Sequence, residues 1–192
     1  MGGKMAGEGG QGGLLMMTDE QLMLEFQRGS QEAFTELFER YRQSIYGYFR
    51  RRLADAARAE ELAQETFLGV LRAVTRYEPR ALFRTYLYGI AQFQLAAERR
   101  KNARRQGDAA PLIVDPPAVN HLEEAVAIRQ AMDEVEPAER EVLMLREYEQ
   151  LSYAEIAALQ RVPINTVRSR LFRARQALKE LLLSPPELKR GV

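Results

Sequence analysis

Between Thr18 and Leu183 the apolar residues return every three or four positions, with no sustained one-by-one alternation, and this restricts the 192-residue chain to helices. The clearest stripe is Phe34, Leu37, Phe38, Tyr41, Ile45, Tyr48 and Phe49, four turns of one face, opened by Gly29-Ser30 with Ser30 as N-cap. Before it, Thr18 and Gln21 have capping-box spacing, although Leu22, Leu24 and Phe26 are too few to set a period. A third helix is expected through Leu62, Phe67, Val70, Leu71, Val74 and Tyr77, stopped by Pro79, which lacks an amide proton and restricts its predecessor. A fourth runs from about Ala81 to Arg104 through Leu82, Phe83, Tyr86, Leu87, Ile90 and Phe93, and ends basic.

The pattern breaks once. Residues 105–121 hold Gly107, Pro111, Pro116 and Pro117, a composition that favours an extended linker, able to span about 55–60 Å at most. Two small helical domains follow from this division, 18–104 and 122–184, flanked by a Gly-rich tail over 1–17 that buries too little surface to order and a short tail over 185–192. In the second domain Val126, Ile128, Met132 and Val135 mark one helix, and Pro137 at a first-turn position opens another with Val142, Leu143, Leu145 and Tyr148. The fold class is all-α.

Composition excludes several classes of function. With no Cys there is neither a disulfide framework nor a thiolate metal site, which fits a reducing cytoplasm. His121 is the one histidine and lies in the linker; no Walker-type phosphate loop or metal-ligand cluster accompanies it, so neither enzyme chemistry nor a cofactor or metal is expected. No apolar run approaches the roughly 20 residues of a membrane helix. Net charge is only +1, but it is segregated. Ile156 to Lys179 contains no acid while it gathers Arg161, Arg168, Arg170, Arg173, Arg175 and Lys179; Arg99, Arg100, Lys101, Arg104 and Arg105 form a second basic run. Acids collect at Asp55, Glu60, Glu61 and Glu65, and again at Glu123, Glu124, Asp133, Glu134 and Glu136. Such a chain offers basic faces to nucleic acid and acidic faces to a protein; solvated helix faces are the plainer alternative.

The most informative stretch is 151–183. Ser152 and Glu155 form a capping box before a short helix carrying Ile156, Ala157 and Leu159. Arg161-Val162-Pro163-Ile164-Asn165 reads as a turn, with Asn165 expected to cap the next helix. That helix sets Val167, Leu171, Ala174 and Leu178 on its buried face and leaves Thr166, Arg168, Ser169, Phe172, Arg173 and Arg175 on others. A short helix, a tight turn and a second helix with an Arg-rich outer face make a helix-turn-helix, whose second member lies in the major groove and there bonds guanine edges or phosphates.

LSYAEIAALQRVPINTVRSRLFRARQALKELL closely resembles region 4, the promoter-reading C-terminal domain of extracytoplasmic-function sigma factors in the sigma-70 family. RGSQEAFTELFERY, AEELAQETFLGVLRA and FRTYLYGIAQ resemble that group's region 2, in the family's order. The resemblance implies a protein that binds core RNA polymerase and directs it to promoter DNA, commonly under the control of an anti-sigma protein. It places Glu60, Glu61, Gln64, Glu65 and Phe67 against polymerase, with Phe67 equally readable as core. It gives a melted −10 strand to Arg76, Tyr77, Arg80, Arg84, Arg99, Arg100 and Lys101, with Tyr86, Tyr88 and Phe93 as aromatic surfaces; Tyr86 and Phe93 read as core residues on spacing alone. It gives the −35 element to Thr166, Arg168, Ser169, Phe172, Arg173 and Arg175.

The chain departs from the family in having Tyr86 for a common Trp, Phe93 for Asn, Ala97 for Asp, and Arg161 and Asn165 for glycines in the turn. These changes put the usual −10 base preference in doubt, and a left-handed Arg161 would cost about 1 kcal/mol. A free-standing helix-turn-helix regulator and a sigma-like decoy for an anti-sigma protein are the rival readings.

Overall fold

The computed structural model describes residues 14–106 and 122–183; the linker from 107 onward and both tails lie outside these. Eight α-helices and one 3-10 turn make up the regular structure among the described residues: α1 (Asp19–Gln27), α2 (Gln31–Arg50), α3 (Ala56–Ala73), the 3-10 turn (Val74–Arg76), α4 (Phe83–Gln106), α5 (Leu122–Glu134), α6 (Pro137–Glu147), α7 (Tyr153–Gln160) and α8 (Ile164–Leu183).

Local chemistry sets most boundaries. The Thr18 hydroxyl accepts from the Gln21 backbone amide while the Gln21 side-chain Oε1 accepts from the Thr18 amide, closing the expected capping box. Gly29 sits at φ +108°, a conformation that spares glycine the steric cost, and turns the chain into α2, capped by Ser30. Asp55 takes two orphan amides of α3, from Ala57 and Arg58. Pro137 stands at the start of α6, behind a Glu136 N-cap.

Three expected boundaries move. The third helix ends at Ala73 and tightens into the 3-10 turn, leaving Tyr77 extended. Leu71 is 36% exposed, at the margin of the face that Leu62, Phe67 and Val70 bury. The fourth helix starts at Phe83 and not Ala81, because the amide of Phe83 donates to Glu20 of α1 at 2.7 Å. The last helix starts at Ile164, where the Pro163 carbonyl accepts from Thr166 and Val167; Asn165 lies inside the first turn and its side chain accepts from Arg168.

Helices α1 to α4 pack around Leu22, Leu37, Ile45, Tyr48, Phe49, Leu62, Val70, Phe83 and Leu87. Helices α5 to α8 pack around Met132, Val142, Met144, Leu145, Leu151, Ile156, Val167 and Leu171. The two groups touch through α4 and α7.

Helix α7 ends in a Schellman motif. Val162 N–H donates to Ala157 O and Arg161 N–H to Ala158 O, with Arg161 left-handed at φ 55°, ψ 44°. The turn keeps the geometry a glycine would favour and accepts the strain of a side chain. Arg161→Gly should therefore raise the stability of the second domain by about 1 kcal/mol, read as an upward shift of its urea midpoint at unchanged slope.

Candidate nucleic-acid interface

Helix α8 divides cleanly. Val167, Leu171 and Ala174 are buried against α6 and α7, while Phe172 is 64% exposed and Arg168, Ser169, Arg173 and Arg175 also face water; Thr166 is half-buried. Arg170, which points between the helices, donates to Gln160 Oε1 at 3.2 Å and ties α8 to α7. The outer cations differ in their engagement. Arg173 pairs with Glu139 and Arg175 with Glu147 (2.8 Å), both carboxylates of α6. Arg168 bonds only the Asn165 side chain, at 3.1 Å, among the described residues. Because exposed pairs are worth about 0–1 kcal/mol, Arg175 can leave the half-exposed Glu147 for a phosphate at little cost; the Glu139 side chain is only 13% exposed and holds Arg173 from a more sheltered place. The −35 set is thus brought together on one outward face.

Helix α4 carries the second candidate face. Phe83, Leu87, Tyr88, Ala91 and Leu95 point inward. Phe93 is 70% exposed, which settles its two readings against the core. One turn further along the same face, Ala97, Arg100, Lys101 and Arg104 line a shallow groove of about 290 Å³. An exposed ring followed by a cationic groove provides a stacking platform for an unpaired base and a track for its phosphates. Arg99 is exposed beside it, and Arg76 and Arg80 are exposed on the segment before α4, Arg80 bonding Glu78 at 2.6 Å.

Four expected members of this set stand elsewhere. Tyr88 is buried, and its hydroxyl donates to Glu149 at 3.1 Å; burial, then the Glu149 charge, push its pKa well above the ordinary phenol value. Tyr77 is buried too, with a pKa pushed up to about 12 by burial and by Glu20. Neither ring is available for a base here, since each fills a gap between helices. Tyr86 is half-buried, stacked edge-on with Tyr77 at 5.3 Å, so it scaffolds the segment more than it presents a surface. Arg84 is held by Glu155 of α7 through two bonds of 2.9 and 2.8 Å. For Glu155, burial opposes ionisation, but bonds from Ser152 and Arg84 outweigh it and hold the carboxyl below its usual pKa.

The segment before α4 is fixed by residues whose sequence context gave no signal. Gln27 of α1 donates its side-chain amide to the carbonyls of Val74 and Tyr77, at 2.9 and 3.2 Å. With Glu20 on the Phe83 amide, α1 fixes both ends of the stretch that carries Arg76 and Arg80.

The acidic face of α3 splits in two. Glu60, Gln64 and Phe67 join Phe38, Arg42 and Tyr46 around a groove of about 340 Å³. Phe67 is nonetheless buried, edge-on to Phe38 at 4.9 Å, so it supports the groove from the core. Glu61 and Glu65 instead pair with Arg58, at 2.7 and 3.2 Å. No described group of His, Asp or Glu is placed to hold a metal ion, and no described helix is long and apolar enough to cross a membrane.

Comparison with known proteins bears on both halves. The family models Sigma-70 region 2 and Sigma-70 region 4 match residues 37–105 and 125–178. The RNA polymerase sigma-H factor of Pseudomonas aeruginosa is 33% identical over 180 residues, covering 85% of this chain and 93% of that protein. RNA polymerase sigma factor CarQ of Myxococcus xanthus is 33% identical over 171 residues, covering 83% and 95%. The ECF RNA polymerase sigma-E factor of Escherichia coli K12 is 32% identical over 178 residues, covering 84% and 93%. Two solved structures share the fold, each 21% identical with a TM-score of 0.65: CnrH in complex with the cytosolic domain of CnrY, covering 88% of this chain and 99% of that one, and the sigma factor RpoE in complex with the anti-sigma factor NepR from Bartonella quintana, covering 80% and 98%. Two sigma-70 modules in one chain, at this identity and coverage, place it in a family: it belongs to the extracytoplasmic-function group of sigma-70 RNA polymerase sigma factors.

Proposed function

We propose that this sigma factor divides promoter reading between its two helical domains and performs no bond chemistry of its own. The first domain, about 18–104, docks on core RNA polymerase through the groove beside α3, with Glu60 and Gln64 at its rim and Phe67 beneath; Glu61 and Glu65 add negative potential. Its α4 face holds the melted −10 strand: Phe93 stacks a base, and Arg99, Arg100 and Lys101, helped by Arg76 and Arg80, take phosphates. The second domain, about 122–184, lays α8 in the major groove of the −35 element. There Arg168 and Arg173 reach base edges, Ser169 and Phe172 supply shorter-range and apolar contact, and Thr166 and Arg175 grip the backbone.

The observation that carries this reading is the exposure of Phe172 and its neighbouring arginines on a helix whose opposite face is buried, on a separate module from an equally exposed Phe93 with its own cationic groove. An anti-sigma protein is the expected regulator, by analogy with the NepR complex named above, and the work belongs in the cytoplasm with polymerase and DNA. Run-off transcription with purified core polymerase on genomic fragments tests the reading. Specific starts should appear only with this protein, and Phe93→Ala should reduce open-complex formation while sparing −35 duplex binding. Tight duplex binding with no transcription would favour the free-standing regulator, and loss of both would favour the decoy.

A further inference from the structure

We propose that Arg161, in the turn between α7 and α8, is a phosphate-binding residue: its guanidinium takes a phosphodiester oxygen of the promoter duplex at the rim of the groove that α8 enters. The proposal rests on the −35 reading of α8 given above.

Two described residues other than glycine hold a positive φ, Gln150 at 56° and Arg161 at 55°. Both stand where one helix of the second domain hands over to the next, in a conformation that glycine takes without steric cost. They differ in what the side chain does there. Gln150 donates its side-chain amide to the carbonyl of Glu147 at 2.7 Å, satisfying an orphan group at the end of α6, so its strain is offset within the fold. Arg161 is exposed, and its guanidinium has no hydrogen-bond or ion-pair partner among the described residues. The arginines that follow it are all engaged: Arg168 with Asn165, Arg170 with Gln160, Arg173 with Glu139 and Arg175 with Glu147. A strained position whose side chain does nothing in the free protein marks a role outside it.

Placement names the ligand. The turn is fixed in place, since the Val162 amide closes on the Ala157 carbonyl and the Val162 side chain packs on the core. After it, Pro163, Ile164 and Asn165 are exposed and carry the outward surface to Arg168 and Ser169. In a helix-turn-helix the first helix crosses the DNA backbone and the second lies in the groove with its N-terminal residues at the bases. The turn that joins them therefore stands at the groove's rim, level with the sugar-phosphate chain. A long cation there meets phosphates and not base edges, so its contact sets position and carries no sequence information. The stretch from Ile156 to Lys179 holds no acid to repel that phosphate.

The test sets stability against affinity. Holoenzyme is formed from purified core polymerase and the full chain, and its binding to a duplex fragment carrying one start found by run-off transcription is titrated at several salt concentrations. Arg161→Gly relieves the strain and removes the charge. It should bind about 10-fold more weakly than the parent at 50 mM salt and about 3-fold more weakly at 200 mM, the narrowing expected of one lost phosphate contact. Its second domain is meanwhile the more stable, so unfolding cannot account for the deficit. Arg161→Gln keeps the strain without the charge and should lose the same affinity, whereas Arg161→Lys keeps both and should lose little. Changing the −35 sequence should leave the deficit of the glycine variant unaltered. Equal affinity and equal salt slope in the parent and Arg161→Gly overturn the proposal, as does a lysine variant as weak as the glutamine one. If Arg173→Ala is then without effect as well, the −35 reading falls with it; if Arg173→Ala weakens binding and Arg161→Gly does not, the Arg161 contact alone is lost.

Discussion

Phe83→Ala lowers the stability of the first domain by about 3–5 kcal/mol, read as a fall in its urea midpoint, and abolishes −10 capture with it. The ring is 1% exposed and stands at the head of α4, with Tyr41, Tyr77 and Tyr86 at 5.8, 6.3 and 6.2 Å between centroids. Truncation leaves three aromatic neighbours facing a void that rigid rings cannot collapse to fill, which is the circumstance in which cavity costs run high. The functional loss follows from placement. Phe83 is where the segment bearing Arg76 and Arg80 meets the helix bearing Phe93, and its amide is the point at which Glu20 anchors that junction. A midpoint shift equivalent to under 1 kcal/mol would show that the cluster is a surface feature and not the keystone of the reading face.

Arg173→Ala weakens binding to a −35 duplex by about 1–3 kcal/mol, whereas Glu139→Gln strengthens it by up to about 1 kcal/mol. The pair is instructive because its members contact each other in the free protein. If the contact serves only the fold, removing either partner should be similarly harmful. If Arg173 leaves Glu139 for DNA, the carboxylate competes for the guanidinium and repels phosphate, and its removal helps. Titrations at several salt concentrations separate the two, since the alanine variant should also lose about one unit of salt slope if the contact is to phosphate and little if it is to a base. Opposite signs for the two variants support a DNA role; equal losses of affinity in both refute it.

What the sequence made legible was local. Capping boxes at Thr18 and Ser152 and the first-turn proline at 137 each depend on residues within four positions, so their structures follow from their spelling. The buried stripe of α8 was legible for the same reason, and with it the outward set from Arg168 to Arg175. The misreadings on α4 have a physical source. Leu87, Ala91 and Leu95 recur at four and define the inner face; Phe93, two positions from Ala91, is rotated about 200° away from it. The spacing from Tyr86 and Ile90 suggests core for Phe93, but both of those are themselves only half-buried, so the series drifts off the inner face before it reaches Phe93. Tyr88 went the other way because a second domain covers it, and no local pattern reports a partner 61 residues distant. Glu20 on Phe83, Gln27 on Val74 and Arg84 on Glu155 were hidden likewise, since polar partners are selected by tertiary approach and leave no periodic trace.

Glu155 takes bonds from two sides. Besides receiving Arg84, it accepts the amide of Ser152 at 2.8 Å, while its own amide donates to the Ser152 hydroxyl at 3.2 Å. Without Arg84 this carboxylate would still be anchored within its own helix, so the start of α7 keeps its cap independently of the first domain. The helix-turn-helix thus carries its own fastening, and its shape does not depend on the neighbour that Arg84 belongs to.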